Sequence, residues 1–233
     1  MGLLNSGLDV RNVLYVYLAL AFAPMMTVFH HRTLRTKVGD FRGSILYFAA
    51  FFAVFMAVPL LIILVCAPRL GDFLWFIGLT AGHAGTGLLL TAVAVPVALA
   101  IGLIGSHDPA MREQYPFSKQ ACSNARRFVL YEIAYLFLYY IPWEFLFRGI
   151  LFFPLVPLVG LIPALAVQTI ASTLYHFTHP ASEIVSAVAG GFIFGLVAYF
   201  TGSIFYTAAI HAMVGLASDT FICLRRRRAG AGA

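Results

Sequence analysis

Glu144 and Arg148 stand four residues apart inside a run of apolar and aromatic side chains, Ile141-Pro-Trp-Glu-Phe-Leu-Phe-Arg-Gly-Ile150. On a helix this spacing puts both side chains on one face, within ion-pair reach. Further along, His176 and His179 are three apart, which predicts a shared helical face, with Pro180 ending that helix. His211 falls in the middle of a later apolar run, and Glu132 and Asp219 border the same part of the chain. A carboxylate and two imidazoles contributed by separate helices can hold one water molecule and take its proton. Each group also has a plainer use. The Glu–Arg pair can neutralise itself and tie helix turns together, and a histidine in a span can serve as an interhelical hydrogen bond.

The elements that must carry these groups follow from composition. Of 233 residues, 61% are hydrophobic and only 10% charged, with a mean hydropathy of +0.91. A soluble domain carries about 25% charged residues. There is too little polar side chain to coat a water-facing surface, which excludes a soluble enzyme, a nucleic-acid binder and a disordered chain. The chain reads as an all-α polytopic membrane protein with about seven to eight transmembrane helices. A span needs about 20 mostly apolar residues, and the runs Val13 to His30, Ile45 to Ala67, Thr86 to Ile104, Phe128 to Val159, Leu161 to Phe177, Ile184 to Phe200 and Ile204 to Cys223 supply them. The first run lacks a small-residue cleavage site and reads as a retained helix. Phe73 to Thr80 is too short to span and predicts an interfacial or re-entrant piece. Pro142, Pro154 and Pro157 predict breaks in the Phe128 to Val159 run, and Gly105 to Arg127 a polar loop. One integral-membrane domain over 1–233 is expected.

Charge placement orients these spans. Basic residues cluster at Arg32, Arg35, Lys37 and Arg42, at Arg112, Lys119, Arg126 and Arg127, and at Arg225 to Arg228. Such clusters between apolar runs mark cytoplasmic loops. With seven spans they place the C-terminus in the cytoplasm of a bacterial inner membrane, against anionic headgroups and not nucleic acid. The preference for Arg over Lys hints at a GC-rich bacterial genome. Cys66, Cys122 and Cys223 are odd in number and far apart, which argues against a disulfide framework or a zinc knuckle. Gly191 and Gly195, extended backward by Ala187, predict a close helix contact.

The polar residues, in this order, resemble the CPBP family of type II CAAX prenyl endopeptidases and their Abi-type bacterial relatives. The resemblance covers about residues 128–220. The family's Glu-Glu-x-x-x-Arg-Gly reads here Trp143-Glu144-Phe-Leu-Phe-Arg148-Gly149, its Phe-x-x-x-His reads Tyr175-His176-Phe-Thr-His179, and its third motif falls on His211. The first glutamate of the family is Trp143 here, and the family's third-motif Asn falls on Gly215. Ser218 or Asp219 could stand in for that Asn by their place along the helix.

The resemblance implies an intramembrane endopeptidase in which Glu144 activates water with His179 and His211. Arg148, Tyr175, His176, Ser218 and Asp219 would act in support. The expected substrate is a membrane-associated bacterial peptide or C-terminal tail, such as a bacteriocin leader. The alternative is an inactive member of the family, acting as a membrane chaperone, an immunity protein or the partner of an active paralogue. A transporter fits less well, because the ionisable residues gather in one half without paired broken helices. No HExxH ligand pair is present, so the sequence requires no metal and no cofactor, while a divalent ion stays possible.

Overall fold

A computed structural model describes residues 9–231. The chain forms helices α1 (Val10–Met26), α2 (His31–Val38), α3 (Asp40–Cys66), α4 (Leu70–Phe76), α5 (Ala84–Gly105), α6 (Pro109–Gln114), α7 (Ala125–Val159), α8 (Leu161–Tyr175), α9 (Ala181–Thr201) and α10 (Phe205–Ala231). Among the described residues there is no strand. Five helices, α3, α5, α7, α9 and α10, are long and apolar enough to cross a membrane. The pair α1 and α2, bent by 49°, makes a sixth if it counts as one span, and α8 is a shorter apolar helix. The protein is an all-α, multi-pass membrane protein.

The apolar surface confirms the inverted environment. Leu20, Leu61, Val65, Leu88, Ile104, Ile162, Ile170 and Val185 are exposed, while Glu144 and Arg148 are buried. In water the reverse arrangement would win; in lipid the apolar side chains face a solvent as apolar as themselves and the polar groups turn inward. Helix ends follow local chemistry. The Asn124 side chain caps α7 by accepting from the Arg127 N–H at 2.9 Å. Gly160 (φ 86°) and Gly202 (φ 65°) provide the positive φ that turns α7 into α8 and α9 into α10.

Small residues set the closest helix contacts. A Cβ built on Gly191 would lie 3.0 Å from Thr169 Cγ2, and one on Gly195 2.5 Å from Leu165 Cδ2, so the expected glycine stripe seats α9 on α8. The Gln168 amide donates across this contact to the Gly191 carbonyl at 2.7 Å. Along the bundle interior runs an aromatic column, with Phe48 stacked on Tyr135 at 4.6 Å and Phe51 tilted against Tyr139 at 4.4 Å, which ends against Trp143.

Three expectations need correction. Pro142 does not break α7, which runs through it; instead the helix widens into π-helical stretches at Leu136–Tyr140 and Phe145–Phe152. An i→i+5 bonding pattern absorbs the N–H that proline lacks and re-aims the side chains that follow. His176 and His179 are not on a helix: α8 ends at Tyr175, and a turn with the His179 N–H bonded to the His176 carbonyl at 2.8 Å holds both imidazoles. Finally, Cys122 and Cys223 form a disulfide across 101 residues of sequence, leaving Cys66 as the free thiol. Sequence spacing alone gave no sign that the loop before α7 returns to the end of α10.

Candidate active site

The π-helical widening of α7 carries Glu144 and Arg148 into the bundle interior, where both are fully buried. Arg148 Nη1 donates to Glu144 Oε1 at 3.4 Å, and Arg148 Nε stands 3.2 Å from Oε2 in ion-pair contact. The guanidinium also lies 5.5 Å from the ring centre of Phe194 on α9, a cation–π contact. From α10, His211 Nδ1 donates to Glu144 Oε1 at 2.7 Å. One carboxylate is thus held by a cation on its own helix and by an imidazole from another. With Nδ1–H committed to Glu144, the opposite ring nitrogen of His211 is left as a proton acceptor.

The family motif's two substituted positions have defined surroundings. Trp143 fills the place of the missing first glutamate and is buried among Phe51, Tyr139, Phe147 and Tyr175. Its ring centre lies 5.0 Å from that of His176 and 5.8 Å from that of His211. At the missing Asn, a Cβ on Gly215 would sit 1.7 Å from the Tyr140 hydroxyl oxygen. The absence of a side chain at Gly215 admits the Tyr140 phenol, whose ring packs 4.8 Å from His211.

The second-motif histidine belongs to a different cluster. His179 Nδ1 is 2.9 Å from Glu183 Oε1, and His176 Nε2 is 3.7 Å from the same oxygen. The Tyr115 hydroxyl, reaching in from the loop before α7, donates to Glu183 Oε1 at 2.5 Å and lies 3.1 Å from His179 Nδ1. Burial, and after it the Glu183 carboxylate, push the Tyr115 phenol well above its ordinary range, so it stays a donor. Trp143 therefore packs against one histidine of each carboxylate–imidazole cluster. The structure brings Glu144, Arg148 and His211 together, and His176 with His179. Tyr175 packs on Trp143, whereas Asp219 faces Glu132 and Ser218 lies where α10 packs against Gly102 of α5.

Residues 125–217 match the model of the Rce1-like family, described as type II CAAX prenyl endopeptidase Rce1-like. This segment is similar to that family. It spans α7 to α10 up to Gly215 and Ala217, and it includes the three motif positions Glu144, His179 and His211. Nothing among curated proteins or solved structures matches the chain. Members of the Rce1-like family are intramembrane proteases, hydrolases acting on membrane-embedded peptides.

Glu183, Tyr115 and Tyr140 were not legible as site residues. Glu183 does follow His179 by four, a helical ion-pair spacing, but Pro180 between them reads as a helix stop. Tyr115 and Tyr140 carry no spacing signal, because only the packing of the loop and of α10 aims their hydroxyls.

Proposed function

We propose that this protein is an intramembrane endopeptidase that hydrolyses a peptide bond in a membrane-associated bacterial peptide or C-terminal tail. The observation that carries the reading is the 2.7 Å bond from His211 to a buried Glu144 inside the Rce1-like segment. Glu144, held by Arg148, fixes the ring of His211 and balances the positive charge that the imidazole gains, as the acid does in a Ser-His-Asp triad. Water gives its proton to the free nitrogen of this Glu144–His211 unit while its oxygen attacks the scissile carbonyl carbon. A tetrahedral oxyanion forms. As the C–N bond breaks, the same proton passes to the departing amine, leaving a new carboxyl and a new amino terminus. His179, backed by Glu183, orients the water or the oxyanion.

The membrane orientation is part of this reading. Arg32 contacts Gln114 and the Thr178 carbonyl, and Arg225, Arg226 and Arg227 contact His107, the Arg112 carbonyl and the Cys122 carbonyl. The basic clusters therefore meet at one end of the bundle, beside the loop that carries Tyr115. The positive-inside rule makes this the cytoplasmic end of an inner-membrane protein.

Single Ala substitutions at Glu144, His179 and His211 are expected each to abolish processing of the cognate substrate in cells, at unchanged protein level. A second reading is favoured by the aromatic packing of Trp143: an inactive member that assists an active paralogue. Processing that survives Glu144→Ala but disappears on deletion of the protein would establish that reading instead.

A further inference from the structure

We infer that His176, His179 and Glu183 form a binding site for one first-row divalent transition metal ion of the zinc class. The three side chains offer ligand atoms that all lie within 4.8 Å of one another. Two imidazoles and one carboxylate, with a further position open, are the donor set of many zinc sites that keep a place for water. None of the three is matched to a metal by the motif reading, in which His179 takes part as a partner of water and His176 in support, and Glu183 has no place.

The arrangement is prepared for an ion in two independent ways. His176 Nδ1 donates to the Ser172 carbonyl at 2.8 Å, which fixes the tautomer and turns the Nε2 lone pair toward Glu183. Metal-ligating histidines commonly have their second nitrogen held in this manner. Glu183 Oε2 is buried with no hydrogen-bond partner, although Oε1 receives both Tyr115 and His179. His31, buried with neither ring nitrogen partnered, places its ring 6.4 Å from that of His179. A buried carboxylate oxygen left unpaired is costly. A bound ion satisfies it.

Binding replaces the His179–Glu183 hydrogen bond with bonds to the metal. The neutral His179 ring takes its Nε2–H tautomer, so the proton moves from Nδ1 to Nε2 of the same ring, and the Nδ1 lone pair and the carboxylate then bind the ion. The ion would tie the turn after α8, the start of α9 and, through Tyr115, the loop before α7.

This assignment stands apart from the endopeptidase reading, because its readout is bound metal and not cleavage. The test uses the full chain in detergent micelles, carrying a histidine-free affinity tag and stripped with a chelator. It is equilibrated with Zn2+ for elemental counting, or with Co2+ for its visible spectrum. One ion per chain is expected. His176→Gln, His179→Gln and Glu183→Gln should each weaken Zn2+ binding by at least about tenfold, while His83→Ala, just before α5 with its N–H on the Thr201 carbonyl at the far end of α9, leaves it unchanged. Glu183→Asp, which keeps the carboxylate, replaces Glu183→Gln if the latter elutes as an aggregate. It should bind Zn2+ more tightly than a chain lacking both His176 and His179. Zn2+ retained equally by wild type and the ligand variants, or no stoichiometric Zn2+ in wild type, would overturn the site.

Discussion

Arg148→Ala leaves the Glu144 carboxylate buried with only His211 to balance it, and breaking a buried pair from one side costs about 3–5 kcal/mol. Removing both partners leaves no orphaned charge. Arg148→Ala should therefore unfold in detergent at a lower temperature than Glu144→Ala/Arg148→Ala, and a double variant equal to or worse than the single one would refute the pairing. Gly215 yields a second residue-scale expectation. With the Tyr140 hydroxyl 1.7 Å from any Cβ there, restoring the family residue by Gly215→Asn overpacks the contact and costs about 1–3 kcal/mol. Tyr140→Ala in the same chain should recover part of that loss, read as the shift in unfolding midpoint. If Gly215→Asn proves neutral, the phenol does not occupy this space. At this scale the motif residues Glu144, Arg148, His179 and His211 were legible in the sequence. Their partners Glu183 and Tyr140 were not, because substituted positions show what is missing and give no sign of what fills the gap.

Between elements, contacts are decided by where a backbone can approach a backbone. A Cβ on Gly102 of α5 would lie 2.7 Å from the Ala217 carbonyl carbon and from the Ser218 nitrogen of α10. No side-chain rotation relieves a backbone clash, so Gly102→Ala must push the two helices apart, at a cost of about 1–3 kcal/mol. Gly105→Ala, whose Cβ would meet only the tip of Met111 at 4.0 Å, serves as the control and should be close to neutral. Equal melting of the two variants would show that α5 and α10 do not approach this closely. The apolar helices fall on the expected runs, with ends shifted by up to eight residues, but the course of α7 was not expected. Three prolines argued for breaks, whereas the packed bundle keeps α7 continuous by widening it. Neighbouring helices can hold a π-helical stretch in place, and this compensation is invisible to a local reading.

Across the whole molecule, the loop between α5 and α7 is pinned to the end of α10 by Cys122–Cys223 and by Arg227 donating to the Cys122 carbonyl at 3.1 Å. The same loop delivers Tyr115 to Glu183, so its attachment bears on the site. A cross-link closing a loop this long stabilises by about 2–4 kcal/mol. Reductant should lower the melting temperature of the wild-type protein and leave Cys122→Ser, already lowered, where it is. A wild-type midpoint insensitive to reductant would show that the link does not hold the loop.

Composition and hydrophobic run length by themselves determined that this chain is an all-α, multi-pass membrane protein, because the cost of placing backbone and charge in lipid leaves few alternatives. Motif order likewise gave its second half a resemblance to the CAAX-type endopeptidases, whose family model matches residues 125–217. Tertiary structure decided which carboxylate each histidine meets: Glu144 for His211, and Glu183 for His179. It also decided that Trp143 packs against a histidine of each cluster. Sequence spacing reports neighbours along one helix. These pairings join α7 to α10, and the turn after α8 to the start of α9 and to a distant loop, where only the packing of the bundle sets the distance.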